Sequence, residues 1–352
     1  MSADILFVPV SGAQGAGELY RCLALAGACH VQYPQWSLHL AVNRDARLRA
    51  PDWLQEHELA ASPTRDEAGM QQLLADIAPR IVVFDNTLRR RQVRQAHAHG
   101  ARTVYISARP NRRRRGFDPR KLALLDEHWM IAPPHQHHLR WWERLLCFAG
   151  KPRMRFFSAL ASPADATRRA SLLGAHGFAP NGYVLFVSGG GGGQVNARPT
   201  AEIFQQAARS FHQQTGLPTL YVAGPLARAE LQSEAGRLEL ASLSPQALGD
   251  VLDGALLVVT GGGSLLNQSL AHERPCLAVA TGGRDQPARL RLLSATGVIE
   301  TCETRPEVMC ERAIALAENE TRHTRLVDAA RQAGYVNGIP DAVHALRALR
   351  DE

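Results

Sequence analysis

The chain is poor in lysine and in long apolar runs. Lys121 and Lys151 are the only lysines among 352 residues, so arginine carries almost all of the positive charge. No apolar run approaches the roughly 20 residues that a membrane-spanning helix requires, and the apolar segment at residues 5–10 is too short and too poorly flanked for a signal peptide. The six cysteines include no C-x-x-C pair. We therefore expect a cytoplasmic protein whose thiols are reduced and mostly buried.

The signatures of several binding classes are also absent. No helix-turn-helix, zinc-finger or RNA-binding motif is present, so nucleic acid is not a favoured partner. The first glycine loop is not a strict G-x-G-x-x-G, and no acidic residue follows at the spacing that a dinucleotide ribose requires. His135, His137 and His138 cluster without a carboxylate or cysteine at zinc-like spacing, and no D-x-D ends a predicted strand in the second half. We therefore predict no metal and no cofactor.

The positive charge is concentrated in one segment. The formal net charge is +7, but residues 80–155 hold 18 basic and five acidic residues, a net +13, which leaves −6 for the rest of the chain. Arginine contacts phosphate bidentately. The segment therefore predicts an anionic partner, for which an anionic membrane surface or a phosphorylated acceptor fits better than nucleic acid.

Buried strands alternate with helical patterns along the whole chain. The length suits two domains, and 45% hydrophobic residues can fill their cores. The alternation predicts an α/β fold with two doubly wound, Rossmann-like domains. We expect an N-terminal domain over residues 1–157 with its last strand at residues 128–132, and a linker or hinge over residues 158–180. A second domain should follow over residues 181–335, and residues 336–352 should form a helix that packs back toward the first.

Polar residues in the first domain occupy positions typical of a ligand site. The loop after the first predicted strand contains Gly15 and Gly17, and Glu18 and Arg21 follow in the first helix. Glu18 is either a general base, if partly desolvated, or a charge that stabilises the first helical turn. Asp85 ends the strand at residues 80–84, where side chains line the ligand cleft of such sheets, unless it caps the next helix.

Arg112 and Arg113 begin a run of four arginines, which we predict to be a loop after the strand at residues 103–107. Four consecutive arginines cannot all face one ligand, so part of the run is solvated. The remainder could bind a pyrophosphate or an anionic headgroup. Downstream, Trp141 and Trp142 predict either a helix packed at the domain junction or contact with a membrane interface.

Glycine-rich or polar turns follow three predicted strands of the second half. After residues 183–188 the chain has five glycines, which form either a flexible loop or a diphosphate-facing turn that needs bare backbone. These are Gly189, Gly190, Gly191, Gly192 and Gly193. Gly261, Gly262 and Gly263 follow the next strand, and Ser264 opens a helix whose N–H groups and dipole suit a phosphate. Asp285 and Gln286 follow the third.

These turns resemble the nucleotide-sugar half of GT-B glycosyltransferases, most closely the family that adds N-acetylglucosamine to a lipid-linked cell-wall precursor. The resemblance implies two domains facing across a cleft, with both glycine turns around the donor diphosphate. It places Gln268 where that family has the acidic residue that holds the ribose. It also implies that Asp285 and Gln286 contact the sugar hydroxyls.

The start of the chain resembles a second group. Residues 15–26 are similar to the G-x-G-H-x-x-R-C-x-x-L-A opening of the UDP-sugar hydrolase of pseudaminic acid synthesis, a GT-B relative. Glu18 stands where that family has its catalytic histidine. The match implies that Gly15, Gly17 and Arg21 contact the acceptor or a phosphate, as Arg112 and Arg113 would in the transferase.

Together the resemblances imply an inverting, metal-independent glycosyltransferase. It would move a sugar, from a UDP-sugar in our expectation, to a glycan or lipid-linked acceptor in bacterial cell-surface polysaccharide synthesis. Glu18 or Asp85 would deprotonate the acceptor. The expected location is the cytoplasm, with peripheral association at the inner face of the membrane. Two alternatives stay open: a nucleotide-sugar hydrolase, and a non-catalytic protein that binds a nucleotide sugar.

Overall fold

The computed structural model describes residues 3–10, 17–44, 50–147, 152–283 and 285–352. Gly15 and the rest of the first glycine loop therefore lie outside the described residues, as does Arg284. The chain forms two compact units. The first contains the described residues up to Leu160 together with Gly338–Glu352, and the second contains Ala161–Asn337.

The first unit is built on a seven-stranded parallel sheet. Its strands are β1 (Ile5–Pro9), β2 (Leu38–Asn43), β3 (Gln55–Leu59), β4 (Ile81–Asp85), β5 (Arg102–Ser107), β6 (Glu127–Ile131) and β7 (Arg153–Phe157). They lie in the order β3-β2-β1-β4-β5-β6-β7. Because side chains alternate across a strand, Ile5 and Phe7 enter one core while Leu6 and Val8 enter another. Both faces of the sheet are therefore covered.

Helices pack on both faces of this sheet. They are α1 (Gly17–Gln32), α2 (Glu67–Ile77), α3 (Arg90–Ala98), α4 (Pro110–Gly116), α5 (Pro119–Leu122), α6 (Trp141–Leu146) and, from the end of the chain, α14 (Ile339–Asp351). One core contains the buried sides of α1 and α14, and the other contains those of α2 and α3. Layers of this kind require crossover helices on both sides of a parallel sheet.

The second unit has a six-stranded parallel sheet and a small hairpin. The sheet strands are β8 (Val184–Val187), β11 (Thr219–Val222), β12 (Arg237–Leu240), β13 (Leu257–Gly261), β14 (Cys276–Val279) and β15 (Glu300–Thr301), and the hairpin strands are β9 (Gln194–Val195) and β10 (Arg198–Pro199). The order is β12-β11-β8-β13-β14-β15. The helices are α7 (Ala166–Leu173), α8 (Thr200–Thr215), α9 (Pro245–Asp253), α10 (Ser264–Ala271), α11 (Gln286–Ala295), α12 (Pro306–Ala317) and α13 (Glu320–Gln332). The predicted α/β class with two Rossmann-like units is confirmed.

The prediction that residues 128–132 form the last strand of the first domain is wrong. That strand is β6, and β7 pairs with it in parallel, from Glu127 beside Arg153 to Ile131 beside Phe157. The sequence of β7, RMRFF, lacks an apolar run because an edge strand is only partly buried. Helix α7 also lies inside the stretch 158–180 that we predicted to be a linker.

A partly buried pair of histidines joins β2 to β3. His39 Nδ1 lies 2.8 Å from His57 Nε2, and His39 Nε2 lies 2.9 Å from Ser37 Oγ. Burial, and then the neighbouring His57, lowers the pKa of His39 to about 4, and burial also lowers the pKa of His57. The pair is therefore neutral in the folded protein at pH 7.

The histidine pair should make the protein less stable in acid. Between pH 6.5, the ordinary pKa, and about pH 4 the unfolded chain binds protons that the folded chain does not, so stability falls as the pH falls through that window. We expect the melting temperature to drop there, and to drop less steeply in a His39→Asn variant. Equal slopes for the two proteins would show that this pair does not cause the loss.

Candidate functional site

Each sheet contains one point at which the strand order reverses. In the first unit β1 lies between β2 and β4, and in the second unit β8 lies between β11 and β13. Open parallel sheets bind ligands beside the carboxyl ends of the strands at such a reversal. The candidate residues therefore occupy the expected position in each unit: Asp85 ends β4, and the glycine turns follow β8 and β13.

Four charged side chains form a buried network in the first unit. Arg21 donates from Nε to Asp85 Oδ2 at 2.8 Å and from Nη2 to Asp85 Oδ1 at 2.9 Å. Arg112 Nη2 lies 2.7 Å from Glu18 Oε1, and its Nη1 lies 3.5 Å from Asp85 Oδ1. All four residues are buried, and Asp85 is 0% exposed. The network thus joins Glu18 and Asp85, which the sequence offered as separate candidates.

The charges of the network balance. Burial raises the pKa of Asp85, while the charge and hydrogen bonds of the Arg21 guanidinium lower it. Burial lowers the pKa of Arg21, but the Asp85 and Glu18 carboxylates raise it by more, and the net shift is upward. With Arg112 charged as well, two cations face two carboxylates. Such a group is costly to break, because removing one member leaves an uncompensated buried charge.

Asp85 is not a helix cap. The next helix, α3, begins at Arg90, and both oxygens of Asp85 are occupied by Arg21. Asn86 instead organises the turn after β4: its Oδ1 accepts from Leu88 N at 2.8 Å, and its Nδ2 donates to Val8 O at 3.0 Å. The capping alternative is therefore wrong, and Asp85 is fixed by its ion pair.

Glu18 lies in the first turn of α1. Its Oε1 is paired with Arg112, and the residue is 7% exposed, whereas Asp85 is 0% exposed. The immediate neighbour of Glu18, Gly17, begins the helix, so Glu18 adjoins the loop at residues 11–16, which lies outside the described residues.

The arginine run is helical, so the predicted loop is wrong. Residues 112–115 lie in α4, which distributes their side chains around the helix. Arg113 donates to both oxygens of Glu143, at 2.9 and 2.6 Å, and to His138 O at 2.6 Å. Arg114 and Arg115 are exposed. Arg112 and Arg113, the two predicted to bind a ligand, are thus both held by carboxylates of the same unit.

Three turns converge at the carboxyl edge of the second sheet. A Cβ atom added to Gly261 would lie 2.7 Å from Thr281 Cγ2 and 3.2 Å from Ser188 O, so the ends of β8, β13 and β14 adjoin one another. A Cβ atom on Gly193 would lie 2.7 Å from Thr281 O. The five-glycine run is therefore part of this edge, and Gly189, Gly190 and Gly192 lie within it.

The run also has a packing role. Gly191 has φ +77°, and a Cβ atom there would lie 2.7 Å from Ala223 O. Gly224, in the turn after β11, has φ +97°, and a Cβ atom there would lie 2.3 Å from Gly189 O. Leu226 N donates to Gly190 O at 3.0 Å, which ties the two turns together. Bare backbone is needed here for the fold itself, in addition to any ligand.

Helix α10 begins in this edge without a side-chain cap. Its N-cap residue is Gly263, which is extended and provides no side-chain hydrogen bond, and Ser264 is the first helical residue. A Cβ atom on Gly263 would meet nothing within 4 Å. The first N–H groups of a helix lack intrahelical partners and lie at the positive end of its dipole, so this open end suits an anion.

The remaining donor candidates lie on α10 and at the start of α11. Gln268 is half-buried on α10. Gln286 Oε1 accepts from Thr281 N at 2.6 Å, so this side chain braces the turn after β14. Asp285 is exposed and pairs with Arg289 Nη1 at 2.9 Å. Arg289 Nη2 also donates to Gly262 O.

Sequence reasoning missed Arg289. Its guanidinium lies against the backbone of the β13 turn, which places a cation at the carboxyl edge of the second sheet. The i,i+4 spacing of Asp285 and Arg289 is the signal that could have found it, because residues so spaced adjoin on a helix.

The described ranges lack both a metal-binding cluster and a membrane-spanning helix. No group of three or more histidine, cysteine, aspartate or glutamate side chains there has a metal-binding arrangement. His137 is bonded instead to Ala132 O at 2.8 Å. Across the same ranges, no helix has the length and apolarity needed to cross a membrane.

Comparison with known proteins identifies the fold. No protein-family model and no curated protein matches the sequence. The structure of the spinosyn forosaminyltransferase SpnP is similar, with a TM-score of 0.67 and 13% identity over 100% of both chains. So are the glycosyltransferase VinC in complex with dTDP, at 0.63 and 13%, and Phytolacca americana UGT2 complexed with UDP-2-fluoro-glucose and pterostilbene, at 0.61 and 12%, both over 100% of each chain. At these identities the likeness concerns the fold: the chain has the GT-B fold of these proteins.

Proposed function

We propose that the protein is an inverting, metal-independent glycosyltransferase of the hexosyl-transferring type, with a UDP-sugar as donor. The observation that carries this proposal is the convergence of three strand ends with the uncapped start of α10 in a GT-B fold. A fold alone does not assign a function, but this edge has the bare backbone and the helix N-terminus that a diphosphate needs.

The donor would lie along the carboxyl edge of the second sheet. Its diphosphate would accept from N–H groups at the start of α10 and from the glycine run. Arg289, held at Gly262 O, would add positive charge as the leaving group departs. Gln268 would contact the ribose, and Asp285 and Gln286 the sugar, although Gln286 would do so through its amide nitrogen because its Oε1 is occupied.

Glu18 is the better candidate for the base. Both oxygens of Asp85 accept from Arg21 and the residue is 0% exposed, whereas Glu18 is paired with Arg112, is 7% exposed and adjoins the first glycine loop. The acceptor hydroxyl would give its proton to Glu18 while its oxygen forms a bond to the anomeric carbon. The bond from that carbon to the diphosphate breaks in the same displacement, so the anomeric configuration inverts.

The acceptor we propose is a glycan or a lipid-linked glycan of bacterial cell-surface polysaccharide synthesis, met in the cytoplasm at the inner face of the membrane. The arginine-rich segment at residues 80–155, with its net +13, supports an anionic acceptor or surface. Arg112 and Arg113 contribute to that charge, but their pairing with Glu18 and Glu143 argues against direct contact with the acceptor.

A nucleotide-sugar hydrolase is the second candidate. The observation that favours it is the match of residues 15–26 to the hydrolase opening, with Arg21 and Cys22 in the matched positions. Water would then replace the acceptor hydroxyl, and the products would be a free sugar and a nucleoside diphosphate. A protein that only binds the donor would form neither product.

A screen of nucleotides tests the proposal. We expect UDP and a UDP-sugar to raise the melting temperature, since a ligand at 100 times its Kd adds about 2.7 kcal/mol to the free energy of unfolding. dTDP and GDP serve as the comparison set. Incubation of the best donor with and without lipid-linked glycans, followed by product analysis, then separates transfer from hydrolysis. If no nucleoside diphosphate or its sugar stabilises the protein, both candidate functions are wrong.

A further inference from the structure

Helix α6 exposes large apolar side chains. Trp141 is 75% exposed and Leu145 is 66% exposed, and Leu146 adjoins them. Trp141 and Leu145 are four residues apart, so they lie on the same face of the helix. Single exposed apolar side chains are common on protein surfaces, but a cluster of them on one short helix indicates a contact surface.

This exposure does not come from a loosely attached helix. Glu143, on the opposite side of α6, is buried and accepts from Arg113 Nε at 2.9 Å and from the N–H of Arg140 at 2.8 Å. Trp142 packs edge-on against Phe117, with ring centroids 5.5 Å apart. One side of α6 is thus fixed to the unit, and the side that bears Trp141 and Leu145 faces outward.

The exposed charges of α4 and of the α6 segment have one sign. Arg140 and Arg144 of the α6 segment are exposed, as are Arg114 and Arg115 of α4, which the Arg113–Glu143 ion pair ties to α6. None of the four forms an ion pair with a described residue. The only carboxylate on α4 or α6 is that of Glu143, and it is buried and neutralised.

We infer that this face of α6 docks on an anionic lipid bilayer. Trp141 and Leu145 would enter the interface between headgroups and acyl chains, where tryptophan is favoured, and the four arginines would contact lipid phosphates. A second copy of the chain is a poorer occupant, because a two-fold contact would set the four arginines against four others. The inference rests on the proposed function for its purpose, since it brings the acceptor-binding unit to a lipid-linked acceptor.

Vesicle binding tests the inference. Wild type should sediment with vesicles of 30% phosphatidylglycerol in phosphatidylcholine, more weakly at high salt, and little with pure phosphatidylcholine. Trp141→Ser/Leu145→Ser should weaken binding by about tenfold or more. Arg140→Gln/Arg144→Gln should weaken it by about fivefold for each charge removed. The melting temperature should change little in either variant, because the altered side chains are exposed.

Two matched controls make the test specific. Val31→Ser alters an apolar side chain of the same unit that is 83% exposed, and Arg80→Gln/Arg94→Gln removes two exposed charges from other elements. Both should bind vesicles like wild type. Equal binding by wild type and Trp141→Ser/Leu145→Ser, or no binding by wild type, would overturn the inference. So would a wild-type dimer in analytical ultracentrifugation that this variant converts to a monomer.

The nucleotide screen keeps the two proposals apart. Donor affinity is measured by calorimetry without vesicles, and both α6 variants should retain it. If vesicles bind through α6 but no nucleotide binds, the proposed function is wrong and the membrane-docking inference is supported. If nucleotides bind and the α6 variants sediment with vesicles like wild type, only the membrane-docking inference is wrong.

Discussion

A Glu18→Gln variant should lose turnover by a factor of about 10² to 10⁴, because it keeps the shape of the side chain and removes its basicity. It should remain folded. The variant also weakens the contact with Arg112, at a cost of about 2 kcal/mol for a hydrogen bond between charged groups. Release of nucleoside diphosphate from the best donor measures turnover, and calorimetry measures donor affinity, which should not change.

Asp85→Asn should be more costly, because Asp85 contacts both arginines and is the carboxylate to which Arg21 is hydrogen-bonded, whereas Glu18→Gln leaves Asp85 beside both arginines. The expected cost is about 3 to 5 kcal/mol of folding free energy. A loss of turnover in this variant would therefore say little about catalysis. The double variant Asp85→Asn/Arg21→Gln removes one charge of each sign, so the network stays neutral and much of the stability should return.

Turnover of that double variant, compared with Glu18→Gln, tests whether Glu18 accepts the proton. If the double variant is stable and active while Glu18→Gln is stable and inactive, Glu18 is the base and the Asp85–Arg21 pair has a structural role. If the double variant is stable but inactive and Glu18→Gln turns over normally, Glu18 is not the base and the Asp85–Arg21 pair takes part in the reaction. Normal turnover in both would remove the network from the reaction and leave it a structural role.

Central strands could be read from the sequence, and edge strands could not. β1, β4 and β13 are continuous apolar runs because both of their faces are buried. β3 and β7 have the sequences QEHEL and RMRFF, in which charged or polar residues interrupt the apolar ones because these strands lie at the sheet edges. Hydrophobic periodicity is weak in such strands. The sequence therefore indicated the fold class while underestimating the width of the first sheet.

The sequence predicted which positions along the chain contribute to the candidate site, but it did not predict which side chains contact one another there. Strand ends and glycine turns can be found in one sequence, which is how Asp85 and the turn after β13 were identified. The pairing of Arg21 with Asp85 joins residues 64 positions apart, and no local pattern reports it. The same holds for Arg112, which we expected to bind a ligand from a partly solvated loop, and which instead lies in α4 and pairs with Glu18.

One glycine at the carboxyl edge of the second sheet allows the proposed donor site to be tested with little effect on the fold. Gly263 caps α10 in an extended conformation that other residues adopt, and a Cβ atom there meets nothing. Gly263→Val should therefore cost no more than about 1 kcal/mol of stability. If a diphosphate binds at this helix start, the branched side chain occupies its place, and UDP affinity should fall by about 100-fold or more. Valine at Gly191 would be a poorer test, because it would strain the turn against Ala223.

Gly174→Val is the matched control. Gly174 also has open space around its Cβ position and a right-handed backbone, but it follows α7 and lies outside the glycine turns. Calorimetry with UDP should give wild-type affinity for this variant and a large loss for Gly263→Val, at similar melting temperatures. UDP binding that is equally strong in both would mean that the diphosphate does not lie at the start of α10. The glycines after β13 would then serve only the close approach of Gly261 to Thr281 and Ser188.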